Sequence, residues 1–149
     1  MAQALIADIG GANARFALTE LDAPAGAVPE ILAPRSLENA RFASLQHAAE
    51  AYLAEVGARP AQAAIAVASP VGGDATRLTN RAWSFSRAEL RAALGLERLE
   101  IINDFGAVAW AVPALGAADL TTLHGAPAGT AELRGPVTLI GPGTGLGVG

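Results

Sequence analysis

The chain contains no cysteine and no lysine, and all ten of its basic residues are arginines. Without cysteine there is no disulfide framework and no thiolate metal site, which suits a reducing compartment. Without lysine no Walker A sequence can be completed. That removes P-loop NTPases and protein-kinase chemistry, both of which set an amine on the phosphates. The arginines are scattered singly, and the formal net charge is −4. Such a distribution offers no basic stripe to nucleic acid and no polybasic segment to a membrane surface. Long hydrophobic runs are missing too. The longest, 105–118, is interrupted by Gly106, Pro113 and Gly116 and falls short of a membrane span. The opening "MAQALIADIG" lacks a basic region and meets Asp8 after a short apolar run, so it does not read as a signal peptide. The two histidines, His47 and His124, have no metal-ligand spacing, and Ser69 in "ASPVGG" lacks the G-x-S-x-G setting of a hydrolase nucleophile. The expectation is a soluble cytoplasmic protein.

What is present is enough for a core. The 149 residues are 52% hydrophobic and 16% charged, which excludes a disordered chain. "QALIADI" (3–9) reads as a buried strand, with "NARFALTE" (13–20) as its hairpin partner around Gly10-Gly11. A Pro/Gly loop (21–30) leads to a third strand near 30–36. In 44–57 the residues Leu45, Ala48, Ala49, Tyr52, Leu53 and Val56 follow a 3.6 period, with Ser44 as cap and Gly57 as stop. Strands are expected at 61–68 and 98–102, and helices from Ser86, which opens a capping box with Glu89, and from Phe105 to about Leu115. A loop rich in Ala, Gly and Pro (116–136) precedes a last strand that starts "PVTLIGPGTGLGVG". The order, antiparallel strands and then βαβα, predicts a mixed α/β sheet with helices on its faces. With only four residues after Gly145, the second hairpin is left open, and the chain is expected to be part of a longer one.

Three stretches carry chemistry. In "DIGGANAR" (8–15) a Gly-Gly pair between strands is, taken alone, a hairpin turn with positive φ angles. Its functional reading is a phosphate loop, in which Gly10 and Gly11 let backbone N–H groups approach oxygens, Asp8 holds a hydrated Mg²⁺, and Asn13 or Arg15 adds polar contacts. In "GPGTGLGVG" (141–149) alternate glycines surround Thr144 without spelling the dinucleotide fingerprint, because its last position falls on Leu146 or Val148. In "EIINDFGAVAWAVPAL" (100–115) an Asn-Asp pair stands between a strand and a helix. Asp104 there is either a helix cap or a base held at the carboxyl end of a strand, where open α/β sheets bind ligands. "LTNRAWSFS" (78–86) alternates Trp83 and Phe85 with polar residues, a pattern that sheet packing explains best.

With these stretches in this order, the chain resembles the bacterial glucokinases of the hexokinase/actin-like ATPase superfamily. "ADIGGANARFAL" is similar to that family's first phosphate motif and "GPGTGLGVG" to its second. "LTNRAWSFS" is similar to its strand pair before the sugar cleft, and "LEIINDFGAVAWAVP" to its catalytic segment. The resemblance implies a ribonuclease H-like sheet, with residues 1–110 as a smaller N-terminal domain and 111–149 as the start of a second, similar one. It also implies ATP-dependent phosphorylation of glucose or a related hexose, with Asp104 as the base toward the sugar 6-hydroxyl and Asn103 on a sugar hydroxyl. Asp8 would serve Mg²⁺-ATP, and Gly10, Gly11, Ala12, Asn13, Gly143, Thr144 and Gly145 would line the phosphates. Ala12 departs from the family's threonine, which removes a hydroxyl. A homodimer of the full-length protein is compatible with the resemblance. The rivals are a non-catalytic sugar-sensing regulator and an assembly ATPase of the same superfamily; no helix-turn-helix precedes Asp8, which counts against the regulator.

Overall fold

Five strands build the main sheet of the computed structural model, which describes residues 2–22, 28–69, 71, 75–77, 83–124, 137–142 and 146–148. β1 (Gln3–Ile9) and β2 (Asn13–Glu20) form the expected antiparallel hairpin, with Ile9 opposite Ala14. β3 (Leu32–Glu38) adds antiparallel to β2, and β4 (Gln62–Val67) and β7 (Arg98–Asn103) add in parallel on the other side of β1. The order across the sheet is β3-β2-β1-β4-β7. β3 begins two residues later than its apolar pattern suggested and contains Pro34. A proline lacks the N–H that an inner strand must donate, and β3 is indeed an edge strand.

One face of this sheet carries the core. α1 (Leu45–Val56) buries Leu45, Ala48, Ala49 and Tyr52, the stripe its period predicts. The Ser44 hydroxyl accepts the His47 amide at its start, and Gly57 ends it in the left-handed region at φ 67°. These side chains meet Leu5, Ile9, Phe16, Leu18, Ile65 and Val67, with the Tyr52 and Phe16 rings stacked at 5.4 Å. Each such side chain, moved from water to the interior, contributes on the order of 1.5–3 kcal/mol. α2 (Arg87–Ala93) starts at the expected cap, where Ser86 Oγ accepts the Glu89 amide, and sends Leu90 into the same cluster with Leu99 and Ile101.

Two short pairs lie outside this sheet: β5 (Ala75–Arg77) with β6 (Ser84–Ser86), and β8 (Ile140–Pro142) with β9 (Leu146–Val148). Trp83 is buried and its indole N–H donates to the Phe42 carbonyl at 3.3 Å, in line with the packing reading. α3 (Asp104–Ala111) is shorter than its apolar run. At Val112–Ala114 it tightens into a 3₁₀ turn, because Pro113 has no amide to offer and its ring crowds the carbonyl four residues back. Among the described residues no helix is long and apolar enough to cross a membrane.

Candidate active site

Parallel pairing brings three strands to a level finish. Ile9, Val67 and Asn103 stand side by side, and Asp8, Ala66 and Ile102 form the row before them. Alternation puts that second row on the face opposite α1. Asp104 follows at once as the first residue of α3. Two interstrand spacings of about 4.8 Å separate the β1 and β7 backbones, roughly 10 Å in all. Ala107, one turn beyond Asp104, lines the same concavity of about 630 Å³ as Asp8, Arg15, Ala17 and Ala66. Asp8 and Ala107 thus share one concavity on that side of the sheet, whereas Asp104 is not among its lining residues.

At that junction the cap is not Asp104. Asn103 occupies the capping position, and its Oδ1 accepts the Phe105 and Gly106 amides at 3.0 and 3.3 Å. Its Nδ2 donates to the Ser69 carbonyl at 3.1 Å, tying the end of β7 to the segment that leaves β4. Asp104 stands one position inside the helix, where the N-terminal dipole favours a carboxylate, and its Oδ1 accepts the Phe105 amide at 2.8 Å. The cap-or-base choice posed by the sequence is therefore resolved on the capping side in favour of the neighbour.

The turn between β1 and β2 is closed by the Gly10 amide donating to the Asn13 carbonyl at 2.9 Å. Positive φ, which a plain glycine hairpin turn would use, is absent from Gly10 and Gly11; among the described glycines only Gly57 and Gly95 have it. A Cβ on Gly10 would lie 3.4 Å from the Asn13 carbonyl oxygen, an ordinary contact. The fold itself does not demand glycine there. Gly11 and Ala12 are exposed, and Gly10 and Asn13 half-buried.

Asn39, which the sequence did not single out, holds this turn from behind. Its Nδ2 donates to the Gly10 carbonyl at 2.9 Å and its amide donates to the Ala12 carbonyl at 2.9 Å. The side chain is fully buried, and its Oδ1 has no hydrogen-bond partner. A lone asparagine after an edge strand carries no pattern by which sequence reading finds it.

Asp8 Oδ2 accepts from Arg15 Nη1 at 2.8 Å, both side chains being more than half exposed. No cluster of three His, Cys, Asp or Glu residues able to hold a metal occurs among the described residues. A single accessible carboxylate fits a Mg²⁺ that keeps most of its waters and is held mainly by phosphate oxygens, not a caged cation. Gly143, Thr144 and Gly145 lie outside the described residues; the strands flanking them, β8 and β9, pair antiparallel with Gly141 opposite Gly147.

Comparison with known proteins agrees with this architecture. The glucokinase family model matches residues 5–149. A glucokinase of Chromobacterium violaceum is 47% identical over 97% of this chain, and one of Cupriavidus pinatubonensis 45% identical over 97%. The chain spans only 39% and 40% of those two proteins. The crystal structure of a glucokinase from an Antarctic psychrotroph superposes with a TM-score of 0.87 at 38% identity, over 99% of this chain and 45% of that one. The glucokinase of Balamuthia mandrillaris in complex with glucose shares the fold at 21% identity, with a TM-score of 0.68 over 99% of this chain and 43% of that one.

Proposed function

The chain belongs to the glucokinase family, and on that premise we propose that the full-length protein is a cytoplasmic enzyme transferring the γ-phosphoryl group of ATP to the 6-hydroxyl of glucose. The observation that carries the reading is Asp8 near the end of β1 and Asp104 just past the end of the parallel strand β7, with Asn103 and not Asp104 in the capping position. Phosphoryl transfer asks a protein for positioning and charge neutralisation more than for covalent chemistry. Asp104 takes the hydroxyl proton as the sugar oxygen attacks. The remaining amide hydrogen of Asn103 is offered to a sugar hydroxyl. The Gly10–Asn13 turn and residues 143–145 line the phosphates, and Asp8 would hold Mg²⁺, largely through water. The cation, when bound, neutralises charge on the phosphate oxygens. Ala12 supplies its backbone only. Residues 1–110 form the smaller domain, and 111–149 begin a second one. A homodimer of the full-length protein is compatible with this reading.

ATP turnover by the full-length protein, with and without glucose, tests the proposal. Turnover should depend on glucose, and Asp104→Asn should lower it on the order of 10² to 10⁴-fold, since an amide cannot take the proton. Glucose-independent turnover would indicate an assembly ATPase. Sugar binding without turnover would indicate a regulator. Asp104→Asn activity within a few-fold of wild type would place the base elsewhere.

A further inference from the structure

Gly141 and Gly147 face each other across the β8–β9 pair, and one aromatic ring lies against both. A Cβ on Gly141 would run into Phe105 Cε2, and a Cβ on Gly147 would sit 3.0 Å from Phe105 Cδ2 and 3.1 Å from Cε2 and Cγ. Neither glycine has a positive φ. Their bareness is therefore a matter of space: two cross-strand residues without side chains make a flat seat for the ring. Phe105 is also the residue after Asp104, and its amide donates to Asp104 Oδ1 at 2.8 Å. One residue thus touches the candidate base through its backbone and the second glycine hairpin through its ring.

We propose that Phe105 is a positioning residue that holds the β8–β9 pair at a fixed place relative to the Asp104 carboxylate. The inference rests on the reading of Asp104 as base and of residues 143–145, between β8 and β9, as phosphate-lining. A hairpin of alternating glycines has few side chains with which to hold its own place, and in-line transfer tolerates little displacement. A shift of about 1 Å in such a site costs on the order of 10²-fold in rate. An aromatic ring seated on the hairpin from the first turn of α3 supplies the missing constraint.

The test is a double-mutant cycle in the full-length protein, using Phe105→Leu, Gly147→Ala and the pair, read as kcat and KM for glucose with glucose and Mg²⁺-ATP as substrates. Each single variant should lower kcat by roughly ten-fold or more while KM for glucose changes only a few-fold. In the Phe105→Leu background, Gly147→Ala should cost much less, because the added methyl no longer meets a ring. Additive losses would overturn the proposal. Should Gly147→Ala fail to fold, Phe105→Leu alone decides: it removes the ring without adding bulk at the glycines, and unchanged kcat overturns the proposal. Asp104→Asn, assayed alongside, separates the two levels. Near-normal turnover there overturns the base reading beneath, whereas an inactive Asp104→Asn with an additive cycle overturns the role of Phe105 alone.

Discussion

Asn103 gives its carboxamide to two α3 amides and to the Ser69 carbonyl, while Asp104 beside it accepts a single backbone amide. The division of labour predicts opposite phenotypes for adjacent substitutions in the full-length protein. Asn103→Ala removes a cap and the tie from the end of β7 to the segment that leaves β4, and should cost about 1–2 kcal/mol in thermal or denaturant unfolding. Asp104→Asn should change stability by less than about 1 kcal/mol, because it is not the cap. If the two melting curves shift equally, the capping assignment is wrong. Gly10→Ala makes a third contrast. Its methyl has room beside Asn13, so the melting temperature should stay within a degree or two. Nucleotide affinity, measured by titration calorimetry, should fall because a methyl group then stands where phosphate oxygens approach the backbone. Unchanged affinity would make Gly10 an incidental turn residue.

At the scale of elements, most of the architecture was legible in the sequence. The stripe of α1, the Ser86–Glu89 box and the hairpin of β1 and β2 are each decided by neighbours within a few residues, which is what periodicity and capping patterns report. Less legible was whatever depended on contacts between distant segments. Asn39 grips a turn some thirty residues away, and the seat for Phe105 lies on glycines near the other end of the chain. The sequence assigns phosphate contacts to Gly143, Thr144 and Gly145, and gives no sign that Gly141 and Gly147 beside them lie against a ring. Tyr52 is another long-range case: buried in α1, it donates to the carbonyl of Ala33, which has a φ of 46° in β3. Burial pushes the Tyr52 phenol above its usual value, with Arg35 pulling it down and Glu55 pushing it further up. Tyrosinate lies on the alkaline side, so this contribution to stability is intact below the unfolded tyrosine value of about 10 and is lost as pH climbs through the higher folded value. Tyr52 is the only tyrosine of this chain. Its absorbance titration should therefore have a midpoint above that of free tyrosine, and Tyr52→Phe should flatten the alkaline fall in stability. A midpoint at or below the free value would contradict its burial.

For the whole molecule, the exposed apolar side chains matter most. α3 buries none of its residues, Trp110 is 81% exposed and Leu123 94%. Exposed apolar groups of this kind favour association. The 149-residue chain, made alone, should self-associate in light-scattering measurements, bind a hydrophobic dye and lack sugar kinase activity. A monodisperse monomer that phosphorylates glucose would refute this. The level finish of β1, β4 and β7 has a consequence of another kind. β4 contributes only Ala66 and Val67 at the rim, yet it acts as the gauge block between two machine faces. Side-chain pitch along a strand is two residues, so a slip of one position would turn Asp8 or Asn103 to the wrong side, and a slip of two would misplace it by about 7 Å. Tolerance at the rim is thus quantised. The phase of an alanine-rich strand with no reactive group of its own therefore decides which way Asp8 and Asn103 face.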